Sequence, residues 1–121
     1  MANSEKVTIV LESIKCIATS DGKFLNDELY IKYTADGDKE IRFPADGSYS
    51  IDPDKNNPWN VNLPISYSNN VIISLYDSET GKDQFLGSQT YYVSDASTDL
   101  VRTIKNSDNG ADYELATGPE S

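Results

Sequence analysis

The apolar residues of this chain recur with a period of two and almost never with the period of a helix. The clearest case is Trp59-Asn60-Val61-Asn62-Leu63-Pro64-Ile65. Trp59, Val61, Leu63 and Ile65 point one way; Asn60 and Asn62 point the other. Alternation of this kind marks a half-buried β-strand. No window of about ten residues carries apolar positions at i, i+3, i+4 and i+7. Similar short runs follow one another, divided by Asp, Asn, Gly and Pro. Val7, Ile9 and Leu11 share a face; Ile14 and Cys16 then take over, and this change of phase predicts a bulge near Glu12 or Ser13. Leu29, Ile31 and Tyr33 alternate next, then Ile41 and Phe43, then Tyr49 and Ile51. VIISLY, FLGSQTYYV, a strand around Leu100 to Ile104 and one over Asp112 to Ala116 complete the series. The tail after Ala116 reads as frayed, as do residues 1–5. About eight or nine strands at a spacing of roughly twelve residues predict an all-β antiparallel sandwich, each sheet burying one apolar face against the other.

Length and composition narrow the function. The chain has 121 residues, enough for one domain with a real core. It has one cysteine and no histidine. That removes an internal disulfide, the common zinc and copper sites and histidine-based catalysis. Ten basic residues face twenty acidic ones, for a net charge of −10. Phosphate neutralisation needs Lys and Arg, so a nucleic-acid partner is not expected. The opening MANSEKVTIV lacks the apolar stretch of a signal peptide, and no run is long enough to span a bilayer. The default expectation is cytoplasmic.

The acids are mostly Asp and gather in two short connections. SDGKFLNDE holds Asp21, Asp27 and Glu28; DSETGKDQFLG holds Asp77, Glu79 and Asp83. A plain turn needs Gly or Asn, not a group of like charges. One reading is simple hydration and solubility. The other is a bound hard cation, because Ca2+ takes six to eight oxygens at about 2.3–2.6 Å and would relieve the repulsion.

These residues resemble a C2 domain, an eight-stranded Greek-key sandwich that responds to Ca2+. The first calcium loop of that family reads D-x5-D-P-Y-V-K-V; here Asp21 and Asp27 have that spacing, followed by ELYIKY. Its third loop reads Y-D-x-D and ends D-[FI]-[IL]-G; here Tyr76, Asp77 and Glu79 lead to Phe85-Leu86-Gly87. The pattern departs from the family at Glu79 in place of Asp, at Glu28 in place of Pro, and at Gln84 in place of the last Asp, with Asp83 just before it. The third loop is also shorter than usual. The resemblance implies Asp21, Asp27, Asp77, Glu79 and Asp83 as Ca2+ ligands at one end of the sandwich. It implies that bound ions switch this end from negative to positive. The tip Lys23-Phe24-Leu25 then suits contact with membrane phospholipid or a protein partner. A tip folded back over the core edge is the alternative for Phe24.

Other readings stay open. Two Ca2+ ions would offset four of the ten excess charges, so an anionic membrane remains opposed by the chain as a whole. Lys32, Lys39 and Arg42 could form a small basic patch on the second and third strands. Eight Tyr and one Trp admit a lectin-like or carbohydrate-binding sandwich, or a self-associating structural one. Asp52-Pro53-Asp54 reads as turn chemistry. Trp59 is expected in the core, and Tyr91-Tyr92 must face opposite ways. With no histidine and the carboxylates in cation-like loops, the expected protein is not an enzyme.

Overall fold

A computed structural model describes residues 5–20, 26–53 and 57–120. Nine antiparallel strands form two sheets: β1 (Val7–Ala18), β2 (Asp27–Ala35), β3 (Ile41–Phe43), β4 (Tyr49–Ile51), β5 (Leu63–Tyr67), β6 (Asn70–Asp77), β7 (Gln84–Tyr92), β8 (Leu100–Asn106) and β9 (Ala111–Pro119). One sheet runs β5-β1-β9-β8 and the other β3-β2-β6-β7, with β4 also on β2. β3 and β4 pair with successive parts of β2, Phe43 opposite Ile31 and Tyr49 opposite Leu29. They are two halves of one edge strand split at 44–48, so the two short alternations expected there are both found, and the eight strands that the resemblance implies become nine. The only helical element among the described residues is a 3-10 turn, Val93–Ser97.

The change of phase in β1 is a bulge. The pairing to β9 slips between Leu11 and Ser13, so Leu11 and Ile14 are both fully buried. The carbonyl freed at Glu12 accepts from the Asn62 amide at 3.2 Å. That contact explains why the alternation at 59–65 is not one continuous strand. Asn62 adopts a positive φ of 51°, and only Leu63 onward joins β5. Trp59 meets β1 through a lone bridge to Ile14, both bonds at 2.9 Å. Its ring stacks on Tyr49 and Phe43, at 5.3 and 6.3 Å between centroids, and fills one open side of the sandwich.

The other open side lies between β7 and β8. Side chains stitch it: Gln89 donates to the Thr103 carbonyl at 2.7 Å and Arg102 to the Thr90 carbonyl at 2.6 Å. Such bonds occupy edge groups that could otherwise pair with another chain. Gly87 is required there. Its φ is 148°, and a Cβ would stand 2.6 Å from Ile104 Cγ2.

Tyr91 is buried in the core and Tyr92 exposed, as the alternation demands. β9 runs on to Pro119, with Thr117 opposite Leu11 and Gly118 opposite Val10. Where a frayed tail was expected from Thr117, residues 117–119 are therefore paired strand.

Candidate functional site

β2 begins and β6 ends at the same pole. Asp77 is in register with Leu29, two residues after Asp27. Both carboxylates lie on the inward face, Asp27 at 0% and Asp77 at 1% exposure. Charges so buried need partners. Each carboxylate has one anchored oxygen. Asp27 Oδ2 accepts from the Ser20 amide at 2.9 Å and from the Tyr113 hydroxyl. Asp77 Oδ1 accepts from the Glu28 amide at 2.7 Å. The remaining two oxygens turn toward one point, the Ser20 hydroxyl, 2.7 Å from Asp27 Oδ1 and 3.1 Å from Asp77 Oδ2. A hydroxyl has one proton to donate. It cannot fully serve two carboxylates.

The Asp77 carboxyl is pushed up to about 8. Burial is the largest cause; the side chain of Glu79, in hydrogen-bond contact, and the charge of Asp27 add to it, against the Glu28 amide and Ser20. Behind Asp27 the Tyr113 phenol is driven well above its usual range, by burial and by its bond to that carboxylate. It stays a donor at any accessible pH. Cys16 touches Tyr113, and burial raises its thiol to about 11. A polar chain thus runs Cys16–Tyr113–Asp27–Ser20–Asp77, with donors from Ser20, just past β1, and from β9 holding acids from β2 and β6 of the other sheet.

Among the described residues, two of the buried side-chain oxygens without a hydrogen-bond partner lie on the residues next along from this pair, Glu79 Oε2 and Gln84 Oε1. Gln84 is directly opposite Asp77 in the β6–β7 register, so both project from the same face.

Asp83 goes elsewhere. Its Oδ2 accepts from the Tyr30 hydroxyl at 2.5 Å and its Oδ1 from the Glu79 amide at 3.2 Å. Tyr30 lies on the outward face of β2, stacked on Tyr76 and capped by the Arg42 guanidinium at 3.9 Å. These bonds hold the Asp83 carboxyl below its usual range, the Tyr30 hydroxyl most of all. The structure therefore separates Asp83 from the Asp27–Asp77 pair. Arg42 and Lys32 are opposite each other as expected, but Arg42 also ties the Pro44 and Gly47 carbonyls, at 2.6 and 2.8 Å. Asp21 and the tip Lys23, Phe24 and Leu25 lie outside the described residues, as does Asp54.

Among the described residues, no group of three or more His, Cys, Asp or Glu is gathered closely enough to hold a metal ion. The donors present are nevertheless all oxygens, the preference of Ca2+ rather than of zinc or copper. Two orphaned oxygens and two buried carboxyls meeting at one hydroxyl are what a hard cation would satisfy. Of the residues expected from sequence, the structure brings Asp27 and Asp77 together, with Glu79 beside Asp77. Sequence reasoning missed Ser20 and Tyr113, which carry no loop signature, and treated Gln84 only as a departure from a motif.

No protein-family model and no curated protein matches the sequence. Solved structures do. The C2A domain of plant Extended Synaptotagmin 1 superposes with a TM-score of 0.60 at 11% identity, covering 100% of this chain and 99% of that one. A structure described as a C2 domain gives 0.58 at 11% identity over 93% and 96%. A C2 domain-containing protein from a putative elicitor-responsive gene gives 0.57 at 13% over 97% and 90%. At such identities the likeness speaks for the fold, and the fold of this chain is that of a C2-like antiparallel β-sandwich.

Proposed function

We propose that the chain is a non-enzymatic, Ca2+-responsive C2-like module. Asp27 and Asp77 would hold the ion through their facing oxygens. Glu79 and Gln84 would add the orphaned Oε2 and Oε1, and Asp21 a further carboxylate. A bound Ca2+ would supply positive charge where the protein's donors run short. The residues Lys23-Phe24-Leu25 would present the contact surface beside it, to a phospholipid headgroup region or to a protein partner. Asp83, bonded to Tyr30 on the other face, is left out of the ligand set.

The observation that supports this reading most is the one hydroxyl proton between two buried carboxylates. A cation that binds the native state raises stability by RT ln(1 + [L]/Kd). Thermal unfolding in millimolar Ca2+ should therefore exceed that in EDTA. An unchanged midpoint would remove calcium from the reading. Co-sedimentation with phosphatidylserine vesicles, with and without Phe24→Ala, tests the tip.

A second reading, a carbohydrate-binding sandwich, draws on a cleft of about 380 Å3 lined by Tyr49, Ser50, Asp52, Asn57 and Asn60. Tyr49 is 37% exposed there and the amides could bond hydroxyls. A glycan array tests it.

A further inference from the structure

Resting on the calcium reading above, we propose that Ser20 is an internal placeholder that sets the affinity of this pole for cations. The Ser20 hydroxyl stands at the meeting point of Asp27 Oδ1 and Asp77 Oδ2. These are the two oxygens not anchored by a backbone amide or by Tyr113. An ion shared by them needs the approach the hydroxyl occupies. Its proton must turn away before the ion can be held, so every binding event carries the loss of a charge-assisted hydrogen bond. Ser20 is 8% exposed, which leaves that proton little access to water. The Ser20 amide, bonded to Asp27 Oδ2, does not move in this exchange and keeps the carboxylate aimed.

The sign of the effect separates this role from a structural one. Loss of a merely supporting hydroxyl weakens binding; loss of a competitor strengthens it. Calorimetric titration with CaCl2 should show Ser20→Ala binding tighter than the unaltered chain by roughly tenfold, the equivalent of one such bond. Ser20→Thr keeps the hydroxyl and should bind as the unaltered chain does. In EDTA, Ser20→Ala should unfold at lower temperature, because the carboxylate pair has lost its donor. If Ser20→Ala fails to fold, Ser20→Cys replaces it. A thiol is a weak donor, and several-fold tighter binding is expected. Binding by Ser20→Ala where the unaltered chain is silent also supports the placeholder. Equal or weaker binding by Ser20→Ala, beside measurable binding by the unaltered chain, overturns the placeholder and leaves the calcium reading standing. No binding by either overturns the calcium reading and the placeholder with it.

Discussion

Asp77 and Asp36 sit at opposite ends of the same pair of strands and have opposite electrostatic fates. Asp36 follows the last residue of β2 and accepts three backbone N–H groups, from Ser68 at 2.8 Å, Asn69 at 2.6 Å and Asn70 at 3.2 Å. Those bonds hold its carboxyl below the usual range, Ser68 first and Asn69 next. Asp77 accepts one amide and a share of one hydroxyl, and its carboxyl is pushed up. Residue type does not distinguish the two. Burial does first, because Asp77 is enclosed and Asp36 lies nearer the surface, and the count of protein donors for each carboxyl adds to it. A pole with enough donors closes a turn; a pole with too few has capacity for a proton or a cation.

The largest expected effect comes from starving the poor pole further. Tyr113→Phe removes a donor to Asp27 that no other described group replaces. It should cost about 2–3 kcal/mol in urea unfolding without Ca2+. Ca2+ should recover part of that loss.

Asp77→Asn should do the reverse. With its carboxyl raised to about 8, Asp77 must take up a proton on folding at pH 7; an amide needs none, so the substitution should stabilise the ion-free protein by about 1–2 kcal/mol while abolishing the Ca2+ shift. Asp36→Asn should lower the unfolding midpoint instead. Destabilisation by both substitutions would break the comparison.

The dependence on pH follows from the same contrast. The Asp77 carboxyl is raised on folding, so its contribution is fully present below its unfolded value of 3.8 and is lost as pH climbs through about 8. Asp36 and Asp83 are lowered on folding, so their contribution is present above 3.8 and lost as pH falls further. Ion-free stability should therefore peak near pH 4–5 and decline toward pH 8. Melting curves of Asp77→Asn should lack that decline. With Ca2+ the slope should invert, because ligation needs the deprotonated acids.

The smallest effect is expected at Asp83. It bonds Tyr30 on the outward face, so Asp83→Asn should leave the Ca2+ response unchanged. A lost response would return Asp83 to the ligand set.

How much of this was legible beforehand follows from what alternation encodes. Period-two patterning fixes which face is buried, so Leu29, Ile31 and Tyr33, the bulge after Leu11 and the core position of Trp59 could be read from residues alone. The break at Asn62 could not, because it depends on the Glu12 carbonyl, a partner fifty residues away in the chain. The acid pole shows the same division. Spacing pointed to Asp27 and Asp77, which the register of β2 and β6 does bring together. It also pointed to Asp83, one residue before the inward-facing Gln84, and a single step along a strand reverses the face. Ser20 and Tyr113 were invisible, since only the packing of β9 and of the turn after β1 over β2 places their donors against an acid.

The most direct test is a Ca2+ titration followed by amide resonances in solution. The account predicts shifts concentrated at Ser20, Asp27, Glu28, Asp77 and Ser78, with Asp36 and Ser68 to Asn70 unmoved. Shifts centred on the Asp36 end, or none at millimolar Ca2+, would contradict it.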